Sequence, residues 1–114
     1  MYGRKIKMTD RELKDALSLK VFCQGEEREI NTGYCGDLLS WVMGRAPAGA
    51  AWITVMSNNN VAAVALLRDV SCVILSQGVE PDEALLKRMT EEDISLYGTA
   101  DDTYTAAVKI SNLI

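Results

Sequence analysis

Ala50-Ala51-Trp52-Ile53-Thr54-Val55-Met56, then Ser57-Asn58-Asn59-Asn60, then Val61-Ala62-Ala63-Val64-Ala65-Leu66-Leu67-Arg68-Asp69 is the stretch that decides the fold. The first segment is a nearly unbroken apolar run of strand length, the second a polar junction, the third an apolar segment of helical length. Strands covered on both faces read as continuous hydrophobic runs, because neither side of the pleat meets water. A buried strand, a polar turn and a buried helix are therefore predicted in succession.

The pattern recurs twice downstream. Cys72-Val73-Ile74-Leu75 reads as a strand and Ser76-Gln77-Gly78 as a turn. Pro81-Asp82-Glu83 then opens a helix with Pro at its first position and acids in the first turn, packed through Leu85, Leu86 and Met89. Ile94-Ser95-Leu96-Tyr97 is a third strand and Gly98-Thr99 its turn. Thr99-Ala100-Asp101-Asp102 starts a terminal helix whose stripe is read as Tyr104, Ala107, Val108 and Ser111. Strands joined through helices pair in parallel. The expectation is an α/β fold: a small central, mainly parallel sheet with helices on both faces, built from three β-turn-α units.

Upstream, Thr9-Asp10-Arg11-Glu12 has capping-box spacing, and Leu13, Ala16 and Leu17 continue a short first helix. Leu19-Lys20-Val21-Phe22-Cys23 alternates weakly, Gln24-Gly25-Glu26-Glu27 is turn-like, and Arg28-Glu29-Ile30-Asn31-Thr32 returns. This reads as a hairpin-like arm. Asp37 caps a predicted helix over 37–44 carrying Leu38, Trp41 and Val42 on one face, stopped by Gly44 and Pro47. Trp41 and Trp52 lie in apolar runs and are expected in the core. Tyr34, between Gly33 and Cys35, is placed in a chain reversal.

The chain has 114 residues, with 12 Lys+Arg against 16 Asp+Glu, so 12 − 16 gives a net charge of −4, and 48% of its residues are hydrophobic. A single domain spanning 1–114 is expected, large enough for one core. Nothing approaches the roughly 18 apolar residues of a membrane span. The basic N-terminus, Met1 to Met8, has no apolar stretch behind it, so a cytoplasmic protein with no membrane partner is expected. With 0 His, imidazole-based triads, general bases and metal ligands are excluded. The acidic balance without any Lys/Arg cluster argues against nucleic-acid partners. Cys23, Cys35 and Cys72 are odd in number and contain no CxxC pair, which reads as free buried thiols and no metal.

In an open parallel sheet the strands end on one edge, where helix starts offer unpaired amides. Ser57, Asn58, Asn59 and Asn60 from the first junction, Ser76, Gln77 and Gly78 from the second, and Gly98, Thr99 and Asp101 from the third would meet there. These groups hold a phosphate, carboxylate or ribose by hydrogen bonds, but none moves a proton unaided near neutral pH. They suit binding rather than catalysis. Each alone also reads as a cap or turn residue, and only the run of three asparagines exceeds what one cap requires. Asp37 reads as a cap, and Asp101-Asp102 as dipole partners of a helix start. Cys35 lies near a predicted helix start, where thiolates are favoured, but has no base or second cysteine beside it.

The segment from Gly33 to Pro81 resembles the DRTGG domain, named for Asp-Arg and Thr-Gly-Gly motifs at successive strand-to-helix turns. Trp52 to Leu67 looks like the strand, motif turn and helix around the Asp-Arg pair, and Val73 to Pro81 like the strand that ends in Thr-Gly-Gly and Pro. Gly33-Tyr34-Cys35-Gly36-Asp37-Leu38-Leu39-Ser40 is similar to that family's lead-in helix. Here Ser57 to Asn60 replace Asp-Arg, and Ser76-Gln77-Gly78 replace Thr-Gly-Gly. The family resembles the N-terminal region of HPr kinase/phosphorylase and occurs in long bacterial phosphotransacetylases and in regulatory pyrophosphatases beside CBS domains. The resemblance implies a non-catalytic, regulatory, self-associating module in a bacterial or archaeal cytoplasm.

Two functions follow as expectations. The first is a stand-alone sensing module, a homodimer or partner of a metabolic enzyme, that binds a nucleotide or other phosphorylated metabolite through Ser57, Asn58, Asn59, Asn60, Ser76, Gln77, Gly78 and Thr99, with no cofactor. The second is a protein-interaction subunit without a ligand, docking through Trp41 or the 19–32 arm.

Overall fold

The computed structural model describes residues 7–114. Among these, the elements run α1 (Asp10–Leu17), β1 (Lys20–Cys23), β2 (Thr32–Cys35), α2 (Leu39–Arg45), β3 (Ala50–Thr54), α3 (Asn60–Arg68), β4 (Cys72–Leu75), α4 (Glu83–Glu91), β5 (Ser95–Gly98) and α5 (Thr103–Ser111). They form one five-stranded sheet in the order β1-β5-β4-β3-β2. β2, β3, β4 and β5 are mutually parallel, and β1 pairs antiparallel with β5. The α/β class, the central strands and the three expected β-turn-α units are as read, with a fourth unit, β2-α2, ahead of them.

The apolar runs are continuous because alternate residues feed two cores. Trp52, Val73, Leu75 and Leu96 face a cluster built with Val42 of α2, Val61 and Val64 of α3, and Leu85 and Met89 of α4. Ala51, Ile53, Cys72, Ile74 and Tyr97 face Leu13 of α1 and Ala106 and Ile110 of α5. Fully covering a side chain of this size contributes about 1.5–3 kcal/mol, so each strand is held from both sides.

Several local readings are corrected. Segment 19–32 is not a hairpin, since β1 and β2 lie on opposite edges of the sheet. The connection between them crosses the amino ends of the strands. There the Gly25 amide donates to Ser95 Oγ at 2.9 Å, the Glu26 amide to the Asp93 carbonyl at 3.1 Å, and the Asn31 amide to the Gly49 carbonyl at 2.8 Å. Arg28 to Thr32 thus pair with other parts of the chain and not with Leu19 to Cys23. Tyr34 lies inside β2 rather than in a reversal. α2 starts at Leu39 behind an uncapped Leu38, so Asp37 does not cap it. Pro81 stands outside α4, because Asp82 is its cap and accepts from the Leu85 amide at 2.8 Å. α5 buries Ala106 and Ile110, and of the expected stripe only Ala107 packs partly against the core, while Tyr104 is 79% exposed and Val108 also faces water. Trp52 is buried as expected, but Trp41 is 56% exposed.

The capping box of α1 is present, with the Thr9 hydroxyl accepting from the Glu12 amide and the Glu12 carboxylate from the Thr9 amide. Its next residue, Asp10, is fully buried. Asp10 Oδ2 accepts from the Tyr97 hydroxyl at 2.6 Å and Oδ1 from the Arg28 amide at 2.7 Å. Gln24 Nε2 in turn donates to the Tyr97 oxygen at 2.7 Å. This network ties α1, the crossing segment and β5 together.

Burial, reinforced by the Asp10 carboxylate that accepts its proton, holds the Tyr97 phenol well above its ordinary value of 10.0. Burial does the same to the Cys72 thiol, above an ordinary 9.0. Both groups keep their protons in the folded state after the unfolded chain has lost them. Their stabilisation is therefore complete below the unfolded values and declines as pH rises past them. Urea unfolding monitored from pH 8 to 11 should show stability falling above pH 10 by about 1.4 kcal/mol per pH unit for each group. The Tyr97→Phe variant should show a slope shallower by about that amount.

Candidate functional site

Parallel pairing of β3, β4 and β5 brings their three following junctions to one edge, and backbone hydrogen bonds join those junctions to one another. The Gly78 amide donates to the Thr99 carbonyl at 2.9 Å and the Gln77 amide to the Asp101 carbonyl at 2.8 Å. The Asp82 amide donates to the Ser57 carbonyl at 3.1 Å, which links the first junction to the second. Ser57, Ser76, Gln77, Gly78 and Thr99 thus belong to one continuous rim.

The polar side chains on that rim differ in what remains free. Ser76 is fully buried, and its hydroxyl lies 2.8 Å from that of Thr103, where it closes the junction from beneath. Asn58 Oδ1 accepts from the Asn60 amide at 2.9 Å, an Asx turn at the start of α3. Asn59, the N-cap residue, makes no side-chain capping bond, and both Asn59 and Asn60 are exposed. One asparagine serves the helix start and two face outward. Asp37 staples this end of the sheet, with Oδ1 accepting from Thr54 Oγ1 at 2.9 Å and the Val55 amide at 3.0 Å. Asp102 caps α5, and the Thr105 amide and hydroxyl that hydrogen-bond to it hold its carboxyl below the usual range. Asp101 pairs with Lys109 at 2.7 Å.

The rim opens into a cleft of about 280 Å³ lined by Gly78, Val79, Glu80, Thr99, Ala100 and Gly98, and on its far wall by Lys20 and Phe22 of β1. Of the expected site residues, Gly78 and Thr99 line it, and Ser57, Asn58, Asn59, Asn60, Ser76 and Gln77 do not. Lys20, Phe22 and Glu80 escaped the sequence reading. Lys20 reaches this edge because an antiparallel β1 begins where β5 ends, with Lys20 opposite Gly98. The lysine Nζ lies 3.4 Å from Glu80 Oε2 and 5.1 Å from the Phe22 ring centroid. The only local signal was the spacing of Lys20 and Phe22, two apart on a strand and hence on one face.

A second cleft of about 320 Å³ lies elsewhere, between β2 and α5, walled by Tyr34, Cys35, Ile53, Ala107, Ile110 and Ile114 among others. It contains none of the expected site residues. Cys35 is an exposed residue there at the end of β2, and partial desolvation of its sulfur together with the Asp37 carboxylate raises its thiol above the ordinary value. Its exposure corrects the expectation that all three thiols are buried. Cys23 and Cys72 are half-buried and buried. No group of three or more potential metal ligands occurs among the described residues. No helix there is long and apolar enough to cross a membrane.

Gln77 and Gly78 both have positive φ, 64° and 71°, and the Val79 amide donates back to the Ser76 carbonyl at 3.2 Å. Two left-handed central residues are the pattern of a type I′ turn. A glutamine in that region carries a strain of about 1–2 kcal/mol that glycine would not. Gln77→Gly should therefore raise stability in chemical denaturation by about 0.5–1 kcal/mol, after allowing for glycine's greater unfolded entropy. An unchanged or lower stability would show that the Gln77 side chain compensates its backbone strain in the free protein.

No curated protein matches the chain. Among solved structures, the CBS and DRTGG domains of the regulatory region of Clostridium perfringens pyrophosphatase, crystallised with the activator diadenosine tetraphosphate, superpose with a TM-score of 0.69 at 17% identity. The match covers 92% of this chain and 45% of that one, so this chain spans less than half of its structural neighbour. At that identity the likeness concerns the fold. The family model of the DRTGG domain matches residues 12–113, and the chain belongs to the DRTGG domain family.

Proposed function

We propose that this chain is a non-catalytic regulatory module that binds a nucleotide or another phosphorylated metabolite along the carboxyl edge of its sheet. Ser57, Asn58, Asn59, Asn60, Gln77, Gly78 and Thr99 are its contacts, and Ser76, expected among them, is instead fully buried against Thr103 and supports the junction from beneath. The module acts on a partner enzyme, or through its own homodimer, as a single domain over 1–114 in the cytoplasm. The observation that carries this reading is the direct bond between two junctions, Gly78 amide to Thr99 carbonyl at 2.9 Å, which makes one rim of what would otherwise be separate caps. Membership of the DRTGG family supports a regulatory role. The pyrophosphatase neighbour, a regulatory region crystallised with a nucleotide activator, supports a nucleotide as the class of ligand.

The rim suits binding and not turnover. It has hydroxyls, carboxamides and amides, but no free base: Asp37, Asp101 and Asp102 are each committed to a structural bond. A thermal-shift series with mononucleotides, acyl phosphates and coenzyme A should show stabilisation by one class of compound. Saturation at about a hundred times the dissociation constant adds roughly 2.7 kcal/mol. The gain should fall in the Asn59→Ala and Asn60→Ala variants. A flat response across the panel, or one that both variants retain in full, removes the reading.

One observation favours a second reading, a protein-interaction subunit. Trp41 stands out from α2 at 56% exposure with the Arg45 guanidinium 3.9 Å above its ring, and Leu38 and Met43 beside it are also exposed. Tryptophan and arginine are the residues that most often anchor interfaces, where truncation costs about 2 kcal/mol or more. If α2 joins two copies, sedimentation should show a dimer that Trp41→Ala converts to monomer at the same concentration. A monomeric wild type removes the dimer form of this reading.

A further inference from the structure

We propose that the cleft beside β1 is the seat of a monophosphorylated small molecule, and that Glu80 occupies its phosphate position in the free protein by holding Lys20. This deepens the binding function proposed above and rests on it, but it moves the centre of the site to residues on β1 and within the β4–α4 connection.

Size and charge choose the ligand class. Ligand clefts usually enclose about 300–1,000 Å³, and this one, at about 280 Å³, is of the size that suits a mononucleotide or a sugar phosphate rather than a dinucleotide. Lys20 is the one cation among the cleft's lining residues. A single phosphate matches one ammonium, whereas a polyphosphate would leave charge unpaired beside Glu80. The organic part of the ligand meets Phe22 and Val79. The Phe22 ring is seated against Gly98, where an added Cβ would lie 2.5 Å from Phe22 Cε2. Any side chain at 98 would push the ring into the cleft. On the opposite wall Gly78, with φ of 71°, has nothing within 4 Å of where a Cβ would stand, so its backbone is open to a ligand.

The Lys20–Glu80 pair has the character of a displaceable contact. Its N–O distance is 3.4 Å, and the two side chains are 62% and 72% exposed. Pairs of this kind contribute about 0–1 kcal/mol, so an incoming phosphate that offers more charge exchanges with the Glu80 carboxylate at little cost. Once released, Glu80 is free to turn into water. Without a ligand the pair keeps the ammonium at the cleft mouth rather than in bulk solvent.

The test is titration calorimetry with adenosine 5′-monophosphate, glucose 6-phosphate, inorganic phosphate and adenosine, on wild type, Glu80→Gln, Lys20→Met and Asn59→Ala. A phosphate ester should bind better than both inorganic phosphate and adenosine. Glu80→Gln should tighten it about threefold to tenfold, Lys20→Met should weaken it tenfold or more, and Asn59→Ala, on the rim but outside the cleft, should weaken it by a smaller factor than Lys20→Met. Ester binding that Glu80→Gln leaves unchanged or weakens overturns the exchange. Ester binding that Lys20→Met retains and Asn59→Ala loses overturns the cleft as the seat while leaving the wider rim reading intact. Inorganic phosphate binding as well as either ester overturns the ligand class. Absence of binding by every compound overturns this inference, while the reading beneath it falls only with a flat response across the thermal-shift panel.

Discussion

Parallel pairing is the constraint on which the rest of this molecule depends. β2, β3, β4 and β5 lie side by side in chain order, each returned to the starting edge by a helix. Every strand in such an arrangement must deliver its chain to the same edge. The polar junctions at 57–60, 76–78 and 99–101 therefore have no freedom to scatter, and the hydrogen bonds among Ser57, Asp82, Gly78 and Thr99 follow from that crowding. The antiparallel β1 is the exception that completes the edge. It runs the other way, so its first residue, Lys20, arrives where β5 finishes.

The opposite edge is closed by a buried polar network. Asp10 takes the Tyr97 hydroxyl and the Arg28 amide, and Ser95 takes the Gly25 amide. A buried carboxylate is tolerated only when its lone pairs are met by donors, and removing one partner leaves the other uncompensated. The network also explains why the chain between β1 and β2 lies across the sheet instead of folding back on itself. Its amides and carbonyls are satisfied by residues at strand starts, in a way that a two-stranded arm in water could not match.

This division accounts for what the sequence made legible. Ala50 to Thr54 and Cys72 to Leu75 are buried on both faces, so local composition alone identified them and predicted their parallel pairing. The Thr9–Glu12 capping box is likewise a short-range pattern and was found. The edge strands were not. β1 and β2 are half-exposed and four residues long, and their partners lie outside a local window, with Lys20 opposite Gly98 and Thr32 opposite Ala50. No local window contains that information, so nearness in sequence suggested a hairpin. Trp41 and Tyr104 misled for another reason. Apolar residues at helical spacing fix a stripe but not the direction it faces, and Val42 and Ala106 hold the core sides of their helices instead. The rim was readable because it is made of turns, while Lys20 and Phe22 became part of the cleft only through the β1–β5 register.

Turn chemistry also limits how far a run of small polar residues can be read as a site. A helix start takes its first polar groups for itself, since an unmet amide costs more than a solvated side chain gains. Asn58 and Asp102 are used in this way, Ser76 is consumed by its pairing with Thr103, and Asp37 is spent on Thr54 and Val55. What remains for a ligand is the surplus: Asn59, Asn60, Gln77, the open backbone at Gly78, and one ammonium. In a chain of net charge −4 the long-range field does not gather anions. Recognition of a phosphate must then be local, made by a single cation against an apolar wall, and a resident carboxylate beside that cation sets the threshold that a ligand has to exceed.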